Sequence, residues 1–120
     1  MATIFDKKGF IALAQIDADS LHGVVLANHD LQQANLIQYD LTEANLSGAN
    51  LANADLRLAD LSHADLSGAN LSFADLSGAT LAGANLKNAT ILGANLSGTN
   101  LDGANLDGVK LESVRREPGS

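Results

Sequence analysis

Apolar side chains return in this chain with a period of five. From Leu21 to Leu111 nineteen positions fall on that period, and all are Leu except Ile91. A step of five carries each Leu well around an α-helix, so no apolar stripe forms there. In a straight strand an odd step sends alternate Leu residues to opposite faces. The leucines share one interior only if the chain turns a corner in every repeat. The pattern therefore predicts a stack of closed coils made of very short extended segments and tight turns, a repeat solenoid.

The remaining positions of the repeat agree. Two residues before each Leu stands a small residue, Ala without a break from Ala44 to Ala94 and again at Ala34 and Ala104, with Thr99 and Val109 later. Residues two apart share a face of extended chain, so Ala and Leu point inward together and pack large against small. Between them lies Asn or Asp in fourteen of the nineteen repeats. That residue points outward or bonds to nearby backbone. Two residues after the Leu comes Gly or Asn in twelve repeats, which suits the positive φ of a type II turn. Gln33, Gln38, Glu43, Leu58, His63 and Phe73 occupy that same slot. Positive φ is poor for them, so a different turn type is expected at those corners.

The run Ala44-Asn45-Leu46-Ser47-Gly48-Ala49-Asn50-Leu51 resembles the pentapeptide-repeat family, whose consensus is A(D/N)LxX. The likeness extends over roughly residues 20 to 112. It implies an all-β fold, a right-handed quadrilateral β-helix with four repeats in each coil, and hence about five coils here. At about 4.8 Å between stacked strands, such a rod is about 24 Å long.

Three parts are expected. Residues 1–20 form a non-repetitive N-terminal cap. Two readings stand for it: a short helix beginning after Asp6, which is a suitable N-cap, or a degenerate first coil, because Ile11 and Ile16 are in phase with Leu21. Phe10, Ile11, Leu13, Ala14 and Ile16 supply its apolar stretch. Residues 21–112 are the coils, and residues 113–120 a charged tail. If that tail leaves the last coil bare, end-to-end stacking into a homodimer is the natural outcome; otherwise the chain is a monomer. With no Cys, there is neither a disulfide framework nor a thiolate site. The sequence shows no signal peptide and no long apolar span, so a cytoplasmic location without membrane contact is expected.

Charge is unevenly distributed. Between Gly9 and Leu86 there are nine acids and a single base, Arg57, whereas the ends carry Lys7, Lys8, Lys87, Lys110, Arg115 and Arg116. An acidic body argues against direct nucleic-acid binding, which needs a basic patch. It suits a basic, DNA-binding protein surface as partner; equally, Asp shares a turn-compatible slot with Asn and keeps the rod soluble.

Departures from the repeat are where function would show. His29 and Tyr39 fall at inward small-residue positions, so a widened first coil or bulge is expected there, with a ligand pocket as the rival reading. Ile37, Leu58, Phe73 and Leu92 point outward and, at twenty residues per coil, gather around one corner of the rod. They are a candidate partner surface, or simple corner packing. Asp55, Asp60, Asp65 and Asp75 form an acidic belt around the middle of the rod. Paired carboxylates perform acid–base chemistry or bind hard cations, but these lie on a convex surface and read first as solvated turn carboxylates. His22, His29 and His63 lack a metal-ligand spacing, and Thr42, Thr80, Thr90 and Thr99 do not stack into the flat array that ice binding uses. No nucleophile elbow, P-loop or dinucleotide fingerprint is present.

The expected function is that of a non-catalytic structural or protein-interaction module without a cofactor, its protein partner unidentified. An acidic DNA mimic acting on a type II topoisomerase, similar to the quinolone-resistance members of the family, is the alternative; their greater length counts against it. A metal-binding or enzymatic role for the acidic belt is a third.

Overall fold

The computed structural model describes residues 2–7, 12–16 and 20–110. Its body is a solenoid in which residue i pairs in parallel with residue i+20, from Val25 with Asn45 through to Thr90 with Lys110. Each coil is thus a square of four five-residue sides, and the described chain makes about four and a half of them.

The repeat at residues 61–65 shows why these five residue types build a side. The Leu61 and His63 N–H groups donate to Thr80 and Ala82 carbonyls in the next coil, at 2.8 and 2.9 Å. The Asp65 N–H donates back to Ala44 at 2.9 Å, and Ala64 closes the turn onto Leu61 at 3.0 Å. The one amide left over, Ser62, donates to the Asp60 side chain at 3.0 Å. Every N–H of the side is therefore satisfied, as low-dielectric burial demands. The Asn/Asp slot thus serves the backbone, because its side-chain oxygen takes the amide that neither ladder nor turn can reach.

The core is a column of Leu with Ala between. Leu26 to Leu96, with Ile91 in phase, and Ala34 to Ala94 at the small slots, apart from half-buried Tyr39, lie essentially out of solvent. Each Leu contributes about 2 kcal/mol of burial. Thr99 replaces Ala without an orphaned hydroxyl, because its Oγ1 donates to the Leu76 carbonyl at 2.7 Å.

The corners correct one expectation. All eighteen, from Gly23 to Gly108, have positive φ between 59° and 72°, including Gln33, Gln38, Glu43, Leu58, His63 and Phe73. The turn does not follow the residue. A left-handed conformation costs a non-Gly residue about 1 kcal/mol. Any other turn at Phe73 would forfeit its 2.8 Å bond to Leu92 and the 3.0 Å turn bond of Ala74, and would shift a core Leu out of register. Those losses, about 1 kcal/mol per hydrogen bond plus the Leu burial, outweigh the strain.

The lead segment is neither helix nor coil where it is described. Strand β1 (Ala2–Phe5) pairs antiparallel with strand β2 (Ala12–Ile16). β1 then docks on the first coil: Asp6 pairs antiparallel with Ala34, the Lys7 N–H donates to Gln33 at 2.8 Å, and the Asn35 N–H donates to Phe5 at 2.7 Å. Ile4, fully buried, plugs the end of the core. Phe10, Ile11 and the tail at 113–120 lie outside the described residues. His29 is exposed rather than inward, and Tyr39 is half-buried against the core. Both belong to the first coil, where the core ends and larger side chains find room at its rim.

Candidate interaction surface

The four outward apolar residues fall into two pairs on neighbouring corners. Ile37 and Leu58 line a shallow depression of about 500 Å³ with Gln38, Arg57, Ser77 and Gly78. Phe73 and Leu92 are tied by the backbone bond between them. Ile37 and Leu92 are half-buried, whereas Leu58 is 56% and Phe73 65% exposed. Each of the two exposed side chains leans over a glycine of the next coil. A Cβ added to Gly78 would come 2.7 Å from Leu58 Cδ2, and one added to Gly93 would come 2.5 Å from the Phe73 ring. Glycine one coil on is what lets a large side chain lie along the rod. His63 lies over Gly83 in the same way.

The side between these corners has the ladder Asn35–Asp55–Asp75–Asn95 down its middle. The acidic belt is thereby divided. Asp55 and Asp75 stack on this side, whereas Asp60 stacks between Asp40 and Thr80 and Asp65 between Asn45 and Asn85, on other sides. Asp55, Asp60, Asp65 and Asp75 each accept the N–H two residues on, from Arg57, Ser62, Ser67 and Ser77. Asp55 is further engaged by Arg57, whose Nε and Nη2 donate to its two oxygens at 2.9 and 2.8 Å. That guanidinium holds the Asp55 carboxyl below the usual aspartate range. The Thr42 hydroxyl and N–H do the same for Asp40. The bidentate Asp55–Arg57 pair escaped the sequence reading, although Arg57 stands where neighbouring repeats have Ser62, Ser67, Ser72 and Ser77. Val25, 69% exposed in the Asn/Asp slot, escaped it as well.

Among the described residues no group of three or more His, Cys, Asp or Glu is arranged to hold a metal ion. The histidines are separate: His22 Nδ1 meets Thr42 Oγ1 at 2.6 Å, and His63 covers Gly83. No helix among the described residues is long and apolar enough to cross a membrane.

A square coil with an aliphatic side chain, nearly always Leu, inward at every side and turns capped mostly by Asn or Asp defines the right-handed quadrilateral β-helix. The chain belongs to the pentapeptide-repeat family: the family profile matches it in eight copies over residues 20–57, 44–82, 54–91 and 81–115. Solved structures agree. The pentapeptide repeat protein Rfr23 from the cyanobacterium Cyanothece 51142 is 35% identical over 95% of this chain and 78% of its own, with a TM-score of 0.77. A pentapeptide repeat protein from the Arabidopsis thaliana thylakoid lumen is 36% identical over 78% of this chain and 69% of its own, with a TM-score of 0.59. The likeness to QnrB1, a plasmid-mediated fluoroquinolone resistance protein, is weaker: 20% identity over 82% of this chain and 58% of that one, with a TM-score of 0.48. A comparison with curated protein sequences finds no match.

Proposed function

We propose that the chain is a non-catalytic, cytoplasmic protein-interaction module that docks a protein partner on the side bounded by Ile37, Leu58, Phe73 and Leu92. One observation supports this reading above the others. Of the eighteen positive-φ corners, sixteen hold Gly, Asn, Gln, Glu or His, and two hold large apolar residues, Leu58 and Phe73, each more than half exposed. Backbone preference disfavours them there, the larger part of each side chain stays in water, and exposed apolar clusters mark contact surfaces. An affinity pull-down from the native host, repeated with Phe73→Ser and Leu92→Ser, tests it. Loss of a captured protein with the variants is expected; identical captured sets would remove the docking side.

Charge favours a second reading, the acidic DNA mimic. Between residues 20 and 86 seven acids stand against Arg57 alone. A DNA gyrase supercoiling assay with and without a quinolone decides it, and no effect at micromolar protein eliminates it. In solution the chain is a monomer or an end-to-end homodimer. Leu101 and Val109 are half-buried and Leu106 is 38% exposed, so stacking of last coils would cover them; sedimentation equilibrium distinguishes the two states.

A further inference from the structure

We infer that the occupant of this side is an extended, basic protein segment of the pattern apolar–x–Lys/Arg–x–apolar, its outer pair on the Leu58 and Phe73 corners and its cation on Asp75. The inference rests on the docking side proposed above and adds the chemistry of the partner. The apolar positions run obliquely over successive coils: Ile37, then Leu58 on the same corner, then Phe73 and Leu92 on the other. Asp55 and Asp75 lie between them. The two Asp55 oxygens are already taken by Arg57. Asp75 differs: its Oδ1 accepts the Ser77 N–H at 3.0 Å, and its other oxygen has no partner among the described residues. It is the carboxylate of this side that no cation pairs directly, Arg57 acting on it only through its field.

In extended chain, residues i, i+2 and i+4 point the same way and span about 13 Å. Apolar–x–basic–x–apolar thus presents all three side chains to one surface. The corners are prepared for contact, because Gly78 and Gly93 hold the Leu58 and Phe73 side chains along the rod, which lowers the ordering cost of binding. A second copy of this chain is a poor occupant, since each carries a formal net charge of −7. A basic segment gains from the same field, including Asp40 and Asp60 beyond the Leu58 corner.

The test is selection of a phage-displayed random heptapeptide library on the intact protein. Selected sequences are then measured as synthetic peptides at low salt on wild type, Leu58→Gly, Phe73→Gly and Asp75→Asn. Glycine is the residue these corners favour, and Asn keeps the Oδ1 bond to Ser77, so all three variants fold; circular dichroism and melting verify this. The expected result is enrichment of the stated pattern, with at least tenfold weaker binding to each variant. Selected peptides that lack a base but still need Leu58 and Phe73 would overturn the basic partner and leave the docking side standing. Peptides indifferent to Leu58 and Phe73, or no enrichment at all, would remove both.

Discussion

Gly93→Ala probes the contact between coils most directly. Two terms oppose it. Gly93 has φ of 68°, where a Cβ costs about 1 kcal/mol. The new methyl would also stand 2.5 Å from the Phe73 ring, which must swing into water. A fully covered Phe removes about 200 Å² from solvent. At 65% exposure Phe73 keeps roughly 70 Å² of that, or about 2 kcal/mol at about 25 cal/mol per Å². Gly93→Ala therefore destabilises by about 3 kcal/mol in all. Gly68→Ala is the control: it has φ of 66° with nothing within 4 Å of its added Cβ, so strain alone acts and the loss is about 1 kcal/mol. The assay is urea unfolding of wild type, both alanine variants, Phe73→Gly and the double variant Phe73→Gly/Gly93→Ala. The coupling within that cycle should be about 2 kcal/mol. Equal losses for Gly68→Ala and Gly93→Ala, or a coupling near zero, would refute the idea that glycine seats the side chain of the preceding coil.

Leu66→Ala in the middle of the core should cost about 2–5 kcal/mol in the same unfolding assay, and a loss below about 1 kcal/mol would mean that this Leu is not packed on all sides. Asp65→Asn should be near neutral, whereas Asp65→Ala orphans the Ser67 amide and costs about 1 kcal/mol; equal stability of the two would dismiss the capping role. Acid should weaken the fold through Asp40 and Asp55. Their carboxyls are held below the free-aspartate value of about 3.9, so their stabilisation is complete above that pH and is lost as pH falls through the folded values. Asp55→Asn should flatten the fall in urea midpoint as pH drops below the free-aspartate value of about 3.9, and an unchanged slope would count against the Arg57 contact.

The coil was legible because one residue type, Leu, carries both the period and the core. With the period known, the stacking of Asp55 on Asp75 and the outward pairs Ile37–Leu58 and Phe73–Leu92 followed from counting by twenty. The corners at Leu58 and Phe73 were misread for a physical reason. Backbone preference is a local quantity of about 1 kcal/mol, and it was overridden by ladder bonds to residues about twenty positions away. Ile4 was missed as the plug because it belongs to no repeat, and only the pairing of β1 with Ala34 and Asn35 brings it over the core. Bonding of the Asn/Asp slot to nearby backbone was one of two readings the sequence offered; which amide Asp60 and Asp65 take needed the accounting of a whole side.

The ladder also makes assembly a matter between neighbours. Most coil-to-coil bonds join residues nineteen to twenty-one positions apart, as Leu61 with Thr80 and Asp65 with Ala44. A ribosome delivering this chain would release the partner of each coil a single turn later, so the structure is able to crystallise upward, layer on layer, with β1 already in place beneath the first. Unfolding would then peel one layer from the next, starting at whichever coil its neighbours hold least.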